Sequence, residues 1–158
     1  MTLRVNREIF DRVKAAILQT GRVDIYWWAM VEGGREVKPV HKITSLRLLE
    51  DCRTVACVGG WTCAVATEEE IARAVRIYAL SDLETNEPFT LAAVLLLDGG
   101  GDAVDVRELE KACYSLFSLE EWPELERAAY CDCRTGAERA EVVVRRMEMW
   151  AAETESKS

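Results

Sequence analysis

Residues 51–63 read DCRTVACVGGWTC, placing three cysteines, a double glycine and a tryptophan inside thirteen residues. Such a segment is either a chemical site or the place where two helices touch. Thr54 is a suitable helix cap, and the run from Val55 to about Ala66 reads as the helix it would open. Two glycines inside a helix cost about 1–2 kcal/mol relative to alanine, so Gly59 and Gly60 imply a backbone or ligand lying against them. Helix packing is the commoner cause. On this reading Thr54, Cys57, Gly59, Gly60 and Trp61 are structural: the glycines admit a neighbouring helix and Trp61 fills the adjacent core.

Helical signals continue on both sides. Asn6 precedes an apolar stripe of Ile9, Val13, Ala16 and Ile17 that ends at Gly21, and Val5 and Phe10 are spaced for a hydrophobic staple. Thr67 with Glu70 forms a capping box ahead of Ile71, Val75 and Tyr78. Pro88 sits in the first turn of a short apolar helix that a glycine run follows. Asp105 with Glu108 opens a helix through Phe117 that buries Leu109, Cys113, Leu116 and Phe117. Pro123 starts another, ending near Cys131. Thr135 with Glu138 begins the last, striped by Ala140, Val143, Val144, Met147, Trp150 and Ala151. Between residues 23 and 42 the chain is aromatic, then punctuated by Gly and Pro. It reads as an irregular connection, with a small hairpin joining 25–31 to 36–40 as the second choice. The expected fold is therefore all-α: a compact orthogonal bundle of six or seven short helices, with the hairpin near 25–40 as an optional addition. A single domain is expected over 1–152, with a mobile tail at 153–158.

These landmarks occur in a recognisable order. Cys52, Thr54, Cys57, Gly60 and Trp61, then Leu116 and Phe117, then Trp122 and Pro123, precede a closing helix rich in Arg, Val and Ala. The pattern resembles a group of small all-helical proteins of bacteria and their phages, marked by a Cys-x-Thr-x-x-Cys-x-x-Gly-Trp/His segment. It departs at Arg53, where many of them have Gly, at Trp61, where some have His, and in a longer spacer around 98–108. The resemblance implies a helical fold and a phage or bacterial setting, and no activity.

Charge and composition narrow the function. The net charge of -8 disfavours sequence-independent nucleic-acid binding, which rests on Lys and Arg displacing counterions. A helix-turn-helix near Arg134 to Arg146 is an alternative, although those arginines read more simply as a solvated helix face among glutamates. No run approaches the roughly 20 apolar residues of a membrane span, and no secretory signal is visible. A cytoplasmic location, in a bacterium or an infected host cell, is expected, with reduced cysteines. The six cysteines lack paired zinc knuckles, and Cys57 and Cys63 would stand on one helix out of phase, so a site recruiting Cys52, Cys57, Cys63 and His41 is not expected. No metal and no cofactor are expected. Cys52, near a helix start and beside Arg53, would make a nucleophile if the lone histidine, His41, folded back as its base. Tyr26, Trp27 and Trp28 cannot all enter one core from a short segment, and exposed aromatics are favoured interface anchors. The leading expectation is a small acidic accessory protein that binds another protein of unknown identity, with inhibition of a host or defence protein as one form of that role. A cysteine-dependent enzyme using Cys52 and His41 is the alternative.

Overall fold

The structure is a computed structural model that describes residues 3–25, 29–31, 35–36, 54–77, 88–98 and 105–157. The fold is all-α, with seven α-helices among the described residues. In chain order these are β1 (Arg4–Val5), α1 (Arg7–Thr20), β2 (Ala29–Val31), β3 (Arg35–Glu36), β4 (Thr54–Ala56), α2 (Val58–Val65) and α3 (Glu68–Ile77). There follow α4 (Pro88–Leu96), β5 (Leu97–Asp98), α5 (Val106–Phe117), a 3-10 turn (Leu119–Glu121), α6 (Glu124–Cys131) and α7 (Gly136–Ser156). Tyr78 lies outside the described residues.

Local chemistry sets the helix ends. The Ile9 amide donates to the Asn6 side chain, and Gly21 closes α1 with a left-handed φ of 63° while its N–H donates to the Ile17 carbonyl at 2.9 Å. Thr67 and Glu70 form a reciprocal box: the Thr67 amide donates to Glu70 at 2.9 Å and the Glu70 amide to the Thr67 hydroxyl at 3.1 Å. Burial alone would raise the Glu70 pKa. The Arg12 guanidinium beside it and the Thr67 amide outweigh that, holding the carboxyl below its ordinary range. At α7 the Glu138 amide donates to the Thr135 hydroxyl, but the Glu138 carboxylate reaches back to the Arg134 amide.

Two small sheets lie among the helices. β1 pairs antiparallel with β5, Val5 opposite Leu97, so the apolar run passes from α4, which ends at Leu96, directly into a strand. β2 pairs antiparallel with both β3 and β4, giving the order β3-β2-β4. The hairpin held as second choice therefore forms, between Ala29–Val31 and Arg35–Glu36, and a third strand joins it.

That third strand corrects the reading of Thr54. Residues 54–56 are β4, not the first turn of a helix, and α2 begins at Val58. Its cap is Cys57, whose sulfur accepts the Gly60 amide at 3.5 Å. Gly59 and Gly60 lie in the first turn of α2, fully covered, and α2 packs mainly on α1 and α4. Trp61 is buried; its indole N–H donates to the Arg22 carbonyl at 3.0 Å and the Arg22 guanidinium lies 5.7 Å from its ring centroid.

A close backbone approach joins the end of α1 to the start of α7. A Cβ built on Gly136 would overlap the Gly21 carbonyl oxygen, and one built on Gly21 would meet the Gly136 carbonyl carbon at 3.3 Å. Backbone stands on both sides, so neither can yield cheaply. Gly136→Ala is expected to cost about 1–3 kcal/mol, read as a lower urea midpoint at unchanged slope. An unchanged midpoint would contradict this contact.

α5 is tied down along its length by three donors. The indole of Trp150 donates to the Ala112 carbonyl, the Arg146 guanidinium to Ser115 and the indole of Trp122 to Leu116, each at 2.8 Å. Arg146 is 1% exposed, so it does not belong to the solvated face on which the sequence reading put it. α7 also runs further than expected. Residues 153–156, assigned to a mobile tail, form its last turn, where Glu153 meets Arg146 and Glu155 meets Arg7.

Candidate functional site

The residues on which sequence reasoning placed chemistry and recognition, Cys52 with His41 and the aromatics Tyr26, Trp27 and Trp28, lie outside the described residues. Residues 56–63 of the cysteine segment are buried. Burial pushes the Cys57 thiol up to about 11, against the opposing pull of the Gly60 and Gly59 amides. Burial also drives the thiols of Cys63 and Cys113 well above their ordinary value. Protonated, enclosed thiols are poor nucleophiles, because the thiolate is the reactive form. Among the described residues no group of three or more His, Cys, Asp or Glu side chains is gathered closely enough to hold a metal ion. No described helix is long and apolar enough to cross a membrane.

An open cleft of about 450 Å³ stands where β4 gives way to α2. Its walls come from four places in the chain. Ile25 enters from the segment after α1, Cys57 from the cap of α2, Phe89 from the first turn of α4, and Tyr114, Phe117 and Leu119 from the end of α5 and the turn beyond it. The aromatic side chains form one array. Phe89 lies 4.7 Å from Tyr114 between centroids, tilted by 34°, and 5.0 Å from Phe117 in an edge-on contact at 84°. Both separations fall in the range where aromatic rings attract beyond simple burial. Tyr114 is 51% exposed, an unusual position for a large ring already committed to a stack. Ser118 and Glu120 supply the polar edge, and the exposed Glu121 and Glu124 follow directly.

No protein family, curated protein or solved structure matches this chain.

The array was only partly legible in advance. Phe117 was expected in the core and is 6% exposed. Phe89 and Tyr114 were passed over, although Tyr114 and Phe117 are three apart on one helix and so share a face. What could not be read was that α4 starts beside that face. Trp122 and Pro123 lie behind it: Trp122 is buried, edge-on to Tyr130 at 5.7 Å, and Pro123 caps α6.

Proposed function

We propose that the protein acts by binding another protein, and that the aromatic cleft between Ile25, Phe89 and Tyr114 is its contact surface. The observation carrying this reading is an open apolar cleft with a half-exposed tyrosine, edged by glutamates, on a chain of net charge -8. Apolar walls favour an aliphatic or aromatic anchor, and the acidic edge favours cationic flanks. The occupant is accordingly a segment of a partner protein with an apolar anchor between Lys or Arg residues. Tyr26, Trp27 and Trp28, the anchors that the sequence offers for such an interface, follow Ile25 directly in the sequence. The accessory role in a phage or bacterial setting implied by the sequence resemblance is kept as part of this proposal.

A helix-turn-helix reading of α6 and α7 is less favoured. Of the four arginines it needs, Arg146 is committed to Ser115 and Glu153 inside the molecule, and Arg139 is partly covered.

A labelled lysine–leucine peptide and its glutamate–leucine counterpart form the test. The lysine peptide should bind, weaken with added salt, and lose about tenfold or more in affinity, roughly 1.4 kcal/mol, with Tyr114→Ala or Glu120→Lys. Equal binding of both peptides, or indifference to both substitutions, would remove the cleft as the contact surface.

A further inference from the structure

α6 ends in Cys-Asp-Cys. Cys131, its last residue, is exposed, Cys133 is partly buried, and both thiols are free. They line one cavity of about 300 Å³ with Asp24, Tyr130 and Arg139. The turn carrying them also holds Tyr130. The Cys133 amide donates to the Tyr130 carbonyl at 3.1 Å, the Asp132 amide to Ala128 at 3.0 Å, and the Cys133 thiol to the Ala129 carbonyl at 3.2 Å. Tyr130 in turn holds the cleft: its hydroxyl accepts the Ile25 amide at 2.9 Å and donates to Asp24 at 3.2 Å. Ile25 is a wall of that cleft.

Residues two apart in a helical turn have Cα atoms about 5.4 Å apart, within the span that a disulfide closes, but their side chains do not face each other, so a bond between Cys131 and Cys133 requires the turn beyond α6 to change shape. Arg139 borders the same cavity, and its Nε is buried with no hydrogen-bond partner among the described residues.

We infer that Cys131 and Cys133 form a thiol–disulfide exchange site for low-molecular-weight disulfides, and that the exchange acts through Tyr130 on the Ile25 wall of the cleft. The consequence for binding rests on the cleft being the contact surface. In the first step the exposed Cys131, as thiolate, attacks one sulfur of the small disulfide. That S–S bond breaks, a mixed disulfide forms on Cys131, and one small thiol leaves with the proton that Cys131 gave up. In the second step Cys133 attacks the Cys131 sulfur, and a second small thiol departs carrying the Cys133 proton. Two protein thiols are oxidised by two electrons and the small disulfide is reduced to two thiols. Burial and the nearby Glu138 hold the Cys133 thiol above its ordinary value, so the exposed Cys131 makes the first attack and Cys133 the slower, intramolecular second. Closing the ring withdraws the Cys133 sulfur from Ala129 and reshapes the turn whose amides hold Ala128 and Tyr130.

The full chain, reduced and then treated with glutathione disulfide without oxygen, provides the test. Peptide mapping should place the new bond between Cys131 and Cys133, and Cys133→Ser should stop at the glutathione adduct on Cys131. Hydrogen exchange at the Ile25 amide should quicken by about tenfold or more in the oxidised chain. A bond from Cys131 to any other cysteine, no bond at all, or an unchanged Ile25 amide after ring closure would overturn the inference. The lysine–leucine peptide then separates the two readings. A difference in affinity between oxidised and reduced chains supports both. If the ring closes and Ile25 loosens but the peptide binds neither form, the cleft reading fails and the exchange site stands.

Discussion

Trp150→Ala is expected to remove about 3–5 kcal/mol of folding free energy, the usual cost of emptying a buried aromatic site. Trp150 is the largest fully buried side chain and sits at 0% exposure near the end of the longest helix. Its indole also donates to the Ala112 carbonyl at 2.8 Å, fastening α7 to α5. Native domains hold only about 5–15 kcal/mol in total, so this one change would leave a measurable unfolded fraction without denaturant. Trp150→Phe divides the effect. It keeps most of the ring and loses the N–H, and because Ala112 lies inside α5 its carbonyl retains a helical partner. About 1–2 kcal/mol is expected for it. Urea unfolding of both variants checks the ordering. Equal losses would mean that the hydrogen bond, not the volume, holds the two helices together.

The second large effect belongs to Arg146. A cation at 1% exposure is costly to bury unless its donors are used, and here use is incomplete. One terminal nitrogen reaches the Ser115 carbonyl at 2.8 Å, the other lies 3.5 Å from Glu153, and the Nε has no partner among the described residues. Glu153 is 45% exposed, so water already screens that pair and its contribution is small. The contact that matters is with Ser115. α5 ends two residues later, and this carbonyl belongs to its last turn, where helical partners run out. Arg146→Ala should therefore cost about 2–4 kcal/mol, from an emptied channel and a buried acceptor left without its donor. Arg146→Met refills the channel with an uncharged chain and sheds the poorly satisfied Nε. It is expected to cost at least about 1 kcal/mol less than the alanine variant. A methionine variant no better than alanine would show that the charge itself is required.

What the sequence disclosed and what it withheld divide along a physical line. Caps and stripes depend on residues within four positions of one another. Thus Asn6 and Gly21 as the ends of α1, the Thr67–Glu70 box, the buried set Leu109, Cys113, Leu116 and Phe117, and the stripe from Ala140 to Ala151 were all legible. Strands depend on distant partners. Thr54–Ala56 is a short apolar run that suits helix or strand equally, and only its pairing with Ala29–Val31 decides. The pairing of Val5 with Leu97 was hidden for the same reason. Arg146 was misplaced because one helix face can be polar by composition and still point at a neighbour's carbonyl. The cleft is a non-local object assembled from four separate segments, so the sequence could offer only candidate members such as Phe117.

The contact between α1 and α7 has a consequence for the order in which the chain is made. The apolar face of α1, with Ile9, Phe10, Val13 and Ile17, is completed partly by a helix that begins at Gly136. At ribosomal rates of about 5–20 residues per second, that face waits on the order of ten seconds for its last covering. During this interval the nascent chain presents an unfinished greasy surface. Until α7 emerges, helper proteins that hold newly made chains would find an uncovered apolar face on α1.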